Sequence, residues 1–356
     1  MHLEDGRVPE EYTKYTGRKL LLNLAGLLVL FLLFIVSISV GAVPIPLGQV
    51  LRALFTGGAS HQVNMIVMNI RLPQALAAVA AGAGLSVSGA AMQSILRNPL
   101  GSPFTLGISN AAAFGAAFSV MVLGGGAMQS TAAGAVSITN PYMTTAAAFI
   151  ACLTAAAVIL AVARAARVSP EVMVLTGVAL GSLFTAGTMF LQYFADDVQL
   201  AAIVFWTFGD LARASWRELL IMSSVTLVSS VYFLLNSWSY NAMDAGDETA
   251  ASLGLPVSRK RLAGMLVASL VTATIISFVG VIGFVGLVGP HMVRRVLGDD
   301  HRYLVPGSML AGAILLLAAD TVARTVMSPQ VLPVAILTAF VGAPVFVFLL
   351  IRGYRR

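Results

Sequence analysis

The stretch from residue 70 to residue 116 reads IRLPQALAAVAAGAGLSVSGAAMQSILRNPLGSPFTLGISNAAAFGA and holds two runs of small residues separated by an Arg-Asn-Pro-Leu turn. Glycine, alanine and serine let helix backbones approach closely, which is how helices associate where the hydrophobic effect no longer drives them together. Pro99 and Pro103 lack a backbone N–H and restrict the residue before them, so a helix does not continue through the turn. The stretch predicts two closely packed helices joined by a short connection.

The chain as a whole is too apolar to fold around one soluble core. Of its 356 residues, 58% are hydrophobic and only 10% are charged, and the mean hydropathy is +0.90. This composition requires lipid as the solvent for most of the surface, and the length allows about ten spans of ~20 residues. The only cysteine, Cys152, lies inside an apolar run, so no internal disulfide can form and we expect it to pack against neighbouring helices.

Ten apolar runs follow one another along the chain, and the charges between them alternate. The runs cover approximately residues 20–40, 65–95, 104–124, 142–163, 171–195, 218–236, 262–282, 284–297, 304–327 and 332–351. Basic residues collect at every second connection, namely Lys14, Arg18, Lys19, Arg97, Arg164, Arg167, Arg259, Lys260, Arg261, Arg294, Arg295, Arg302, Arg352, Arg355 and Arg356. By the positive-inside rule these connections face the cytoplasm. The pattern predicts an all-α integral membrane protein with about ten transmembrane helices and both termini in the cytoplasm.

This topology gives a simple domain organisation. Residues 1–19 are expected to form a cytoplasmic segment, residues 20–351 a single transmembrane domain, and residues 352–356 a cytoplasmic tail. The basic residues behind the net charge of +6 are dispersed over several loops, so the charge indicates topology and no nucleic-acid partner.

Sequence motifs for chemistry are absent from the chain. None of the three lysines follows the GxxxxGK[ST] pattern of a phosphate-binding loop, and the four histidines show no zinc-ligand spacing. We therefore expect no catalytic residue, no metal site and no cofactor in this chain. A transporter of this kind takes its energy from an ion gradient or from a partner.

One acidic residue bears on the ion-gradient alternative. Asp320 is the only carboxylate deep within an apolar run, and Arg324 follows it at the i+4 spacing that lets the two pair on one helix face. A structural ion pair is one interpretation. A coupling site of an ion-driven secondary carrier is the other.

A charged stretch bears on the partner alternative. Residues 241–261 read NAMDAGDETAASLGLPVSRKR, with helix-forming residues from about 245 to 252 followed by Gly254 and Pro256. A short helix in a cytoplasmic loop is a lever on which a partner can push. The stretch therefore predicts a cytoplasmic coupling loop.

Four segments together resemble one family. They are residues 70–116, quoted above, DETAASLGLP at 247–256, GFVGLVGPHMVRRVLGDDHRYLVPGSMLAGAILLLAADTVAR at 283–324, and LPVAILTAFVGAPVFVFLL at 332–350. The chain is similar to the FecCD-type permeases of type II ABC importers, which move iron-siderophores, haem or cobalamin across the cytoplasmic (inner) membrane of prokaryotes. The resemblance implies ten spans, a homodimer with the pathway at the subunit interface, two cytoplasmic ATPase subunits that hold ATP and Mg, and an extracytoplasmic substrate-binding protein.

The resemblance also implies roles for cytoplasmic residues. Asn98, Pro99 and Leu100 are expected to contribute to the cytoplasmic gate, with Ser169 and Pro170 on the loop before the fifth span.

In the coupling loop, Glu248, Leu253 and Gly254 are expected to seat against the ATPase, with the glycine ending the helix in a left-handed or close-packed position.

On the outer face, Arg71 and Arg324 are expected to be exposed and to pair with acidic residues of the binding protein. Some family members carry a second arginine where this chain has Gln74, so docking is expected to use fewer ion pairs or to find them elsewhere.

Substrate identity is the least defined part of the prediction. Met189, Gln192 and Tyr193 in the fifth span are candidate pathway-lining residues, and ordinary packing is the alternative for each. We rank a ferric siderophore first, with cobalamin and haem behind it. Two other classes stay open: an ion-driven carrier that uses Asp320, and a membrane-embedded assembly or receptor component without transport.

Overall fold

A computed structural model of the chain describes residues 10–41, 43–124, 126–127, 137–138, 140–166, 168–327 and 330–353. Much of the predicted segments 1–19 and 352–356 lies outside these residues. The described part forms fifteen α-helices and one short antiparallel pairing of β1 (Gly126–Ala127) with β2 (Ser137–Ile138). The helices are α1 (Glu10–Ser39), α2 (Leu47–Phe55), α3 (His61–Met65), α4 (Leu72–Ile95), α5 (Ile108–Met121), α6 (Pro141–Ala165), α7 (Pro170–Phe194), α8 (Asp197–Thr207), α9 (Trp216–Leu235), α10 (Ser237–Asp244), α11 (Asp247–Ser252), α12 (Val257–Val279), α13 (Val285–Leu297), α14 (His301–Ala323) and α15 (Val334–Gly353).

Each of the ten predicted apolar runs contains a helix, which confirms the all-α membrane fold. Seven helices in the described residues are long and apolar enough to cross a bilayer: α1, α6, α7, α9, α12, α14, and the continuous helix His61–Ile95 that joins α3 to α4 through a π-helical turn at Ile66–Arg71. The run at 104–124 gives a helix of only 14 residues, and the run at 284–297, short already in the prediction, gives one of 13. At 1.5 Å per residue, α5 and α13 are each ~20 Å long, against a hydrocarbon core of ~30 Å.

The short helices α5 and α13 each follow a segment of irregular backbone. Before α13, Gly280 (φ +82°) and Phe284 (φ +65°) turn the chain sharply after α12. Before α5, the Ser102 and Thr105 side chains satisfy each other's backbone groups. Before α5, residues 101–103 and 106–107 are buried while Phe104 and Thr105 are exposed, and residues 280–284 before α13 are buried or partly buried. Irregular backbone at membrane depth has to be covered by protein or line a water-filled cavity.

Helix α4 forms the centre of the bundle, where its small residues touch other backbones. A Cβ atom added to Gly89 would lie 1.6 Å from the carbonyl oxygen of Gly286 in α13, and one added to Gly82 would lie 2.3 Å from that of Gly312 in α14. Because no side chain fits at these crossings, the helices approach backbone to backbone. This confirms the close packing that the 70–116 stretch predicts.

The charge pattern sorts the residues to two ends of the bundle. Arg294 contacts Ser94, and Arg261 contacts Ile95, so these basic residues lie together at what we call the basic end. Arg71 contacts Ser39 at what we call the Arg71 end. Residues that the positive-inside rule assigns to one side therefore do meet at one end of the fold.

Candidate functional site

The predicted coupling loop contains a well-formed short helix, α11. It begins after Gly246 (φ +117°) and ends in a Schellman motif, in which the Leu255 N–H donates to Ala250 O at 3.1 Å and the Gly254 N–H donates to Ala251 O at 2.9 Å. Ala250 and Leu255 are both buried, which is the apolar contact that accompanies this motif. The helix end is therefore rigidly defined by local hydrogen bonds.

The three residues predicted to meet the ATPase lie on the exposed side of this element. Glu248 is exposed and Leu253 is 56% exposed. Gly254 has φ +81°, and a Cβ atom added there would meet nothing within 4 Å. The left-handed conformation expected for Gly254 is confirmed, and within this chain the position faces open space.

Arg261 is the buried link between α11 and the rest of the basic end. Arg261 is 2% exposed, and its Nη2 donates to Oδ1 of Asp247, the first residue of α11, at a distance of 2.8 Å. Its Nε donates to Ile95 O at 2.8 Å and its Nη1 to Val168 O at 3.4 Å. One guanidinium thus holds three separate segments, a use for which its rigid fork of donors is suited.

The predicted gate residues lie on the two loops whose ends Arg261 holds. Asn98 Oδ1 accepts from the Leu100 N–H at 2.9 Å, which closes a turn two residues long around Pro99. On the second loop, the Ser169 hydroxyl donates to the Glu171 carboxylate just inside α7.

Strained backbone marks the same two loops. Arg97 (φ +48°) and Val168 (φ +59°) are two of the three non-glycine residues with left-handed backbone in the described part of the chain. Val168 is β-branched, and such residues adopt this conformation only where surrounding structure imposes it. The hydrogen bond from Arg261 to Val168 O is part of that surrounding structure.

A second polar cluster connects α10, α14 and α4 at the basic end. His301 is fully buried, and its Nε2 lies 3.1 Å from Asp244 Oδ2 and 2.9 Å from Ser94 Oγ. Arg294 extends the cluster, with Nη1 3.6 Å from the same Asp244 oxygen. Burial alone would raise the pKa of Asp244, but hydrogen bonds from His301 and Ser94 and the charges of His301 and Arg294 together lower it. The end of α10, just before α11, is thereby fixed to the bundle.

The expectation that Arg71 and Arg324 are exposed is wrong. Arg71 is 5% exposed and Arg324 is 8% exposed. The Arg71 Nη1 donates to Ile38 O and Ser39 O, each at 2.9 Å, and the Arg324 Nη2 donates to Ser37 O at 3.2 Å. The last carbonyls of a helix lack intrahelical partners and carry partial negative charge. The two buried arginines at the end of α1 donate hydrogen bonds to these carbonyls and offset that charge.

Asp320 belongs to the same cluster at the Arg71 end. Its Oδ2 accepts from Arg324 Nε at 2.9 Å, which confirms the predicted i+4 pair. Its Oδ1 accepts from Gln74 Nε2 at 2.8 Å, so the residue that replaces a second arginine is an internal hydrogen-bond donor. Both carboxylate oxygens are occupied, as a structural ion pair requires.

The candidate pathway residues lie on the open face of α7. Met189 is 62% exposed and Tyr193 is 83% exposed, and Gln192 is partly buried. The single chain leaves this face available to a second copy, a solute or lipid. Their role in a pathway stays a prediction.

Sequence reasoning missed Arg261 and Asp247, which form the centre of this site. In the sequence pattern, Arg261 is one of several topology-defining charges. A usable signal was present, because Arg261 falls on the same helical face as Met265, Ala268 and Thr272, all of which are buried. A basic residue that continues an apolar helix face is a candidate for a buried, multiply bonded position.

Known proteins share this architecture over nearly the whole chain. The profile of the FecCD transport family matches residues 28–352. An ABC transporter permease protein of Methanocaldococcus jannaschii is 52% identical over 349 residues, covering 98% of this chain and 99% of that protein. The hemin transport system permease protein of Yersinia pestis is 36% identical over 326 residues, covering 92% and 94%.

A solved structure gives the same answer at the level of the fold. The inward-facing conformation of a metal-chelate type ABC transporter superposes with a TM-score of 0.78 at 30% sequence identity, covering 93% of this chain and 99% of that one. With the family profile and the relatives, this similarity establishes what the sequence resemblance implied. The chain belongs to the FecCD transport family and is a permease of an ABC importer.

Proposed function

We propose that this permease imports an iron-siderophore type metal chelate by alternating access. Two copies would line the pathway, two cytoplasmic ATPase subunits would hold ATP and Mg, and a substrate-binding protein would deliver the chelate at the Arg71 end. The metal-chelate transporter structure supports this class of cargo, and the hemin relative supports haem as an alternative. Cobalamin and haem are the alternative cargoes.

The observation that carries the proposal is the set of bonds made by Arg261. The side chain joins Asp247 of α11 to Ile95 O and Val168 O, which precede the two predicted gate loops. A coupling element needs such a connection, because force applied by a partner has to reach the pathway through packed, bonded groups.

The mechanism follows from these contacts. The exposed Glu248 and Leu253 form the surface on which an ATPase subunit seats, and Gly254 fixes where the helix ends. Closure of the ATPase pair displaces α11 and with it Asp247. The ion pair transmits this displacement to Arg261, whose other donors hold both loops. The predicted gate residues then move relative to the same residues of the second copy; they are Asn98, Pro99, Leu100, Ser169 and Pro170.

At the Arg71 end, the buried arginines require a revised role in docking. Arg71 and Arg324 fix the end of α1 and the following residue Val40, so they shape the surface that the binding protein meets. In this revision the acidic residues of that protein pair with exposed groups, and the two arginines act through the backbone that they hold.

A direct experiment separates this proposal from its competitors. The chain would be purified with the ATPase and binding protein encoded beside it, and the binding protein tested against ferric siderophores, haem and cobalamin. Tight binding of a ferric siderophore with ATP-dependent uptake by the complex is the expected result. Uptake driven by an ion gradient without the ATPase, or a complex that moves no solute, contradicts the proposal.

A further inference from the structure

A groove at the Arg71 end is not used by the coupling site or the predicted gates. It lies where α6 and α9 begin and α12 ends, with α8 as one wall. Its upper part is a cavity of about 510 Å³. It is lined by Pro141, Tyr142, Thr144, Thr145, Ala202, Phe205, Trp206, Arg213, Ser215, Glu218 and Phe278.

A second cavity, of about 410 Å³, continues the first. The two share Tyr142, Thr145, Glu218 and Phe278. From the shared residues, the lining of the second cavity extends along three helices. It runs from Tyr142 to Phe149 in α6, from Glu218 to Val225 in α9 and from Phe278 back to Leu270 in α12. Each step is about two turns, or ~10 Å, away from the Arg71 end. Together the cavities form one groove that runs from the end of the bundle towards its middle.

The chemistry changes along this groove in the way that an amphiphile requires. The deep part is lined mainly by apolar side chains, including Phe149, Ile221 and Leu270. The end of the groove at the start of α9, which we call its mouth, carries two guanidinium groups: Arg213 lines the first cavity, and Arg217, in the first turn of α9, lines the second. The polar end therefore coincides with the end of the helices, where a bilayer has its headgroups.

The mouth holds one guanidinium, that of Arg217, without an ion-pair partner among the described residues. Arg217 lies over the Tyr142 ring at 5.6 Å, and among the described residues no carboxylate is within ion-pair distance of it. Arg213 donates to Phe205 O and Trp206 O, is attracted by the Asp210 carboxylate, and keeps further N–H donors. Glu218 is already engaged, because its carboxylate accepts from the Ser215 N–H and hydroxyl at the start of α9. An anion at the mouth would therefore meet the unpaired Arg217 and the remaining donors of Arg213.

Aromatic side chains place the mouth at the membrane surface. Tyr142 and Trp216 are exposed, and the Trp216 indole N–H donates to Met68 O at 3.1 Å. Tyrosine and tryptophan are enriched at the level of the headgroups. The groove wall is also open to the surroundings at Ala146, Ile221 and Leu270.

We propose that this groove is a binding site for an anionic phospholipid of the leaflet at the Arg71 end. Its phosphate pairs with Arg217 and Arg213, and one acyl chain lies along Phe149, Ile221 and Leu270. The site is independent of the transported chelate and of the ATPase partner.

The test counts lipids that stay with the full chain. The protein is reconstituted in vesicles of equal phosphatidylglycerol and phosphatidylcholine, extracted mildly, and examined by native mass spectrometry. Phosphatidylglycerol is expected to be retained in preference. Arg217→Gln should reduce that preference by about fivefold, the factor that corresponds to one arginine near a charged membrane surface. Ala146→Trp, which fills the open wall of the apolar part, should remove the retained lipid.

Two matched variants control for general effects. Arg52→Gln removes an exposed arginine near the same end, and Leu227→Trp adds an indole to another exposed position of α9. Both should retain phosphatidylglycerol as the parent chain does. Equal retention of the two phospholipids, or unchanged retention in Ala146→Trp, overturns the proposal. So does an Ala146→Trp variant that separates two copies of the chain, because the groove would then belong to the interface between copies.

Discussion

The carboxylate of Asp247 accepts two hydrogen bonds from Arg261 Nη2, at 2.8 and 3.1 Å, and this ion pair ties the coupling helix to the first turns of α12. Asp247 is partly exposed, whereas Arg261 is buried among backbone carbonyls. The exposed member can respond to a partner, and the buried member contacts the two loops. The pair can therefore connect a surface that meets a partner to the two loops inside the protein.

Replacing Arg261 by lysine tests this transmission. Lysine keeps the charge but offers a compact ammonium that cannot reach three segments in the guanidinium geometry. We expect the assembled complex to hydrolyse ATP while uptake per ATP falls about tenfold, corresponding to ~1.4 kcal/mol of lost coupling. Arg259→Lys, an exposed neighbour, is the matched control and should leave the ratio unchanged. An Arg261→Lys complex with normal uptake per ATP would show that the link is not needed.

Gly254→Leu tests the end of the coupling helix. A leucine at φ +81° is strained by ~1–2 kcal/mol, but it has open space, so the fold and the dimer should persist. Because the side chain protrudes from the predicted contact surface, we expect ATP hydrolysis to be uncoupled from uptake. Gly57→Leu carries the same strain in equally open space away from the basic end and should transport normally. Normal uptake by both variants contradicts the assignment of Gly254.

Substitutions of Arg71 distinguish capping of α1 from direct docking. Arg71→Glu should reduce the stimulation of ATP hydrolysis by the binding protein, since it places a negative charge at the negative end of α1. Arg71→Gln should reduce it as well, with faster hydrogen exchange near Ser39, because either change removes the hydrogen bonds to the carbonyls of Ile38 and Ser39. Full stimulation with Arg71→Gln and loss only with Arg71→Glu would instead support a docking charge.

Gly89→Ala tests the close packing at the centre of the bundle. The added methyl would overlap Gly286 O, so α4 and α13 have to separate, and we expect a loss of at least ~1–3 kcal/mol in folding stability. Gly26→Ala, whose Cβ would make an ordinary contact at 3.5 Å with Leu310, is the control. Thermal unfolding in detergent measures both, and equal midpoints would refute the close crossing.

A pH dependence is expected from Asp300 at the start of α14. Burial raises the pKa of this carboxyl, but hydrogen bonds from Arg302 and Asn241 outweigh it and lower the pKa to about 2. A folded pKa below the unfolded value of ~3.9 contributes stability that is present above ~4 and is lost as the pH falls towards 2. The thermal unfolding midpoint of the parent chain should therefore decrease as the pH falls from 4 to 2, and this decrease should be smaller in Asp300→Asn. The same decrease in both proteins would show that the Asp300 carboxylate does not contribute this stability.

Much of the fold could be predicted because local sequence patterns determine it. The apolar runs fixed the helices, and alternating basic connections assigned their ends. Helix α8 was missed although Asp196 and Gln199 form a capping box before it, a signal that the prediction did not use. The burial of Arg71 could not be predicted, because it depends on where α1 ends, more than thirty residues earlier in the chain.

The candidate site shows the same division. Local signals predicted the turn around Pro99, the short helix α11 and its end at Gly254. What joins them is Arg261, whose partners Ile95 and Asp247 lie 166 and 14 residues away in sequence. Such a contact is decided by helix packing, which composition and spacing do not encode.

The most direct measurement is uptake of a ferric siderophore into proteoliposomes that contain this permease, its neighbouring ATPase and the binding protein, with ATP supplied at the basic end. We predict accumulation that requires both ATP and the binding protein. Accumulation that proceeds without the ATPase, or the lack of any accumulation of siderophore, cobalamin or haem by the intact complex, would contradict the account.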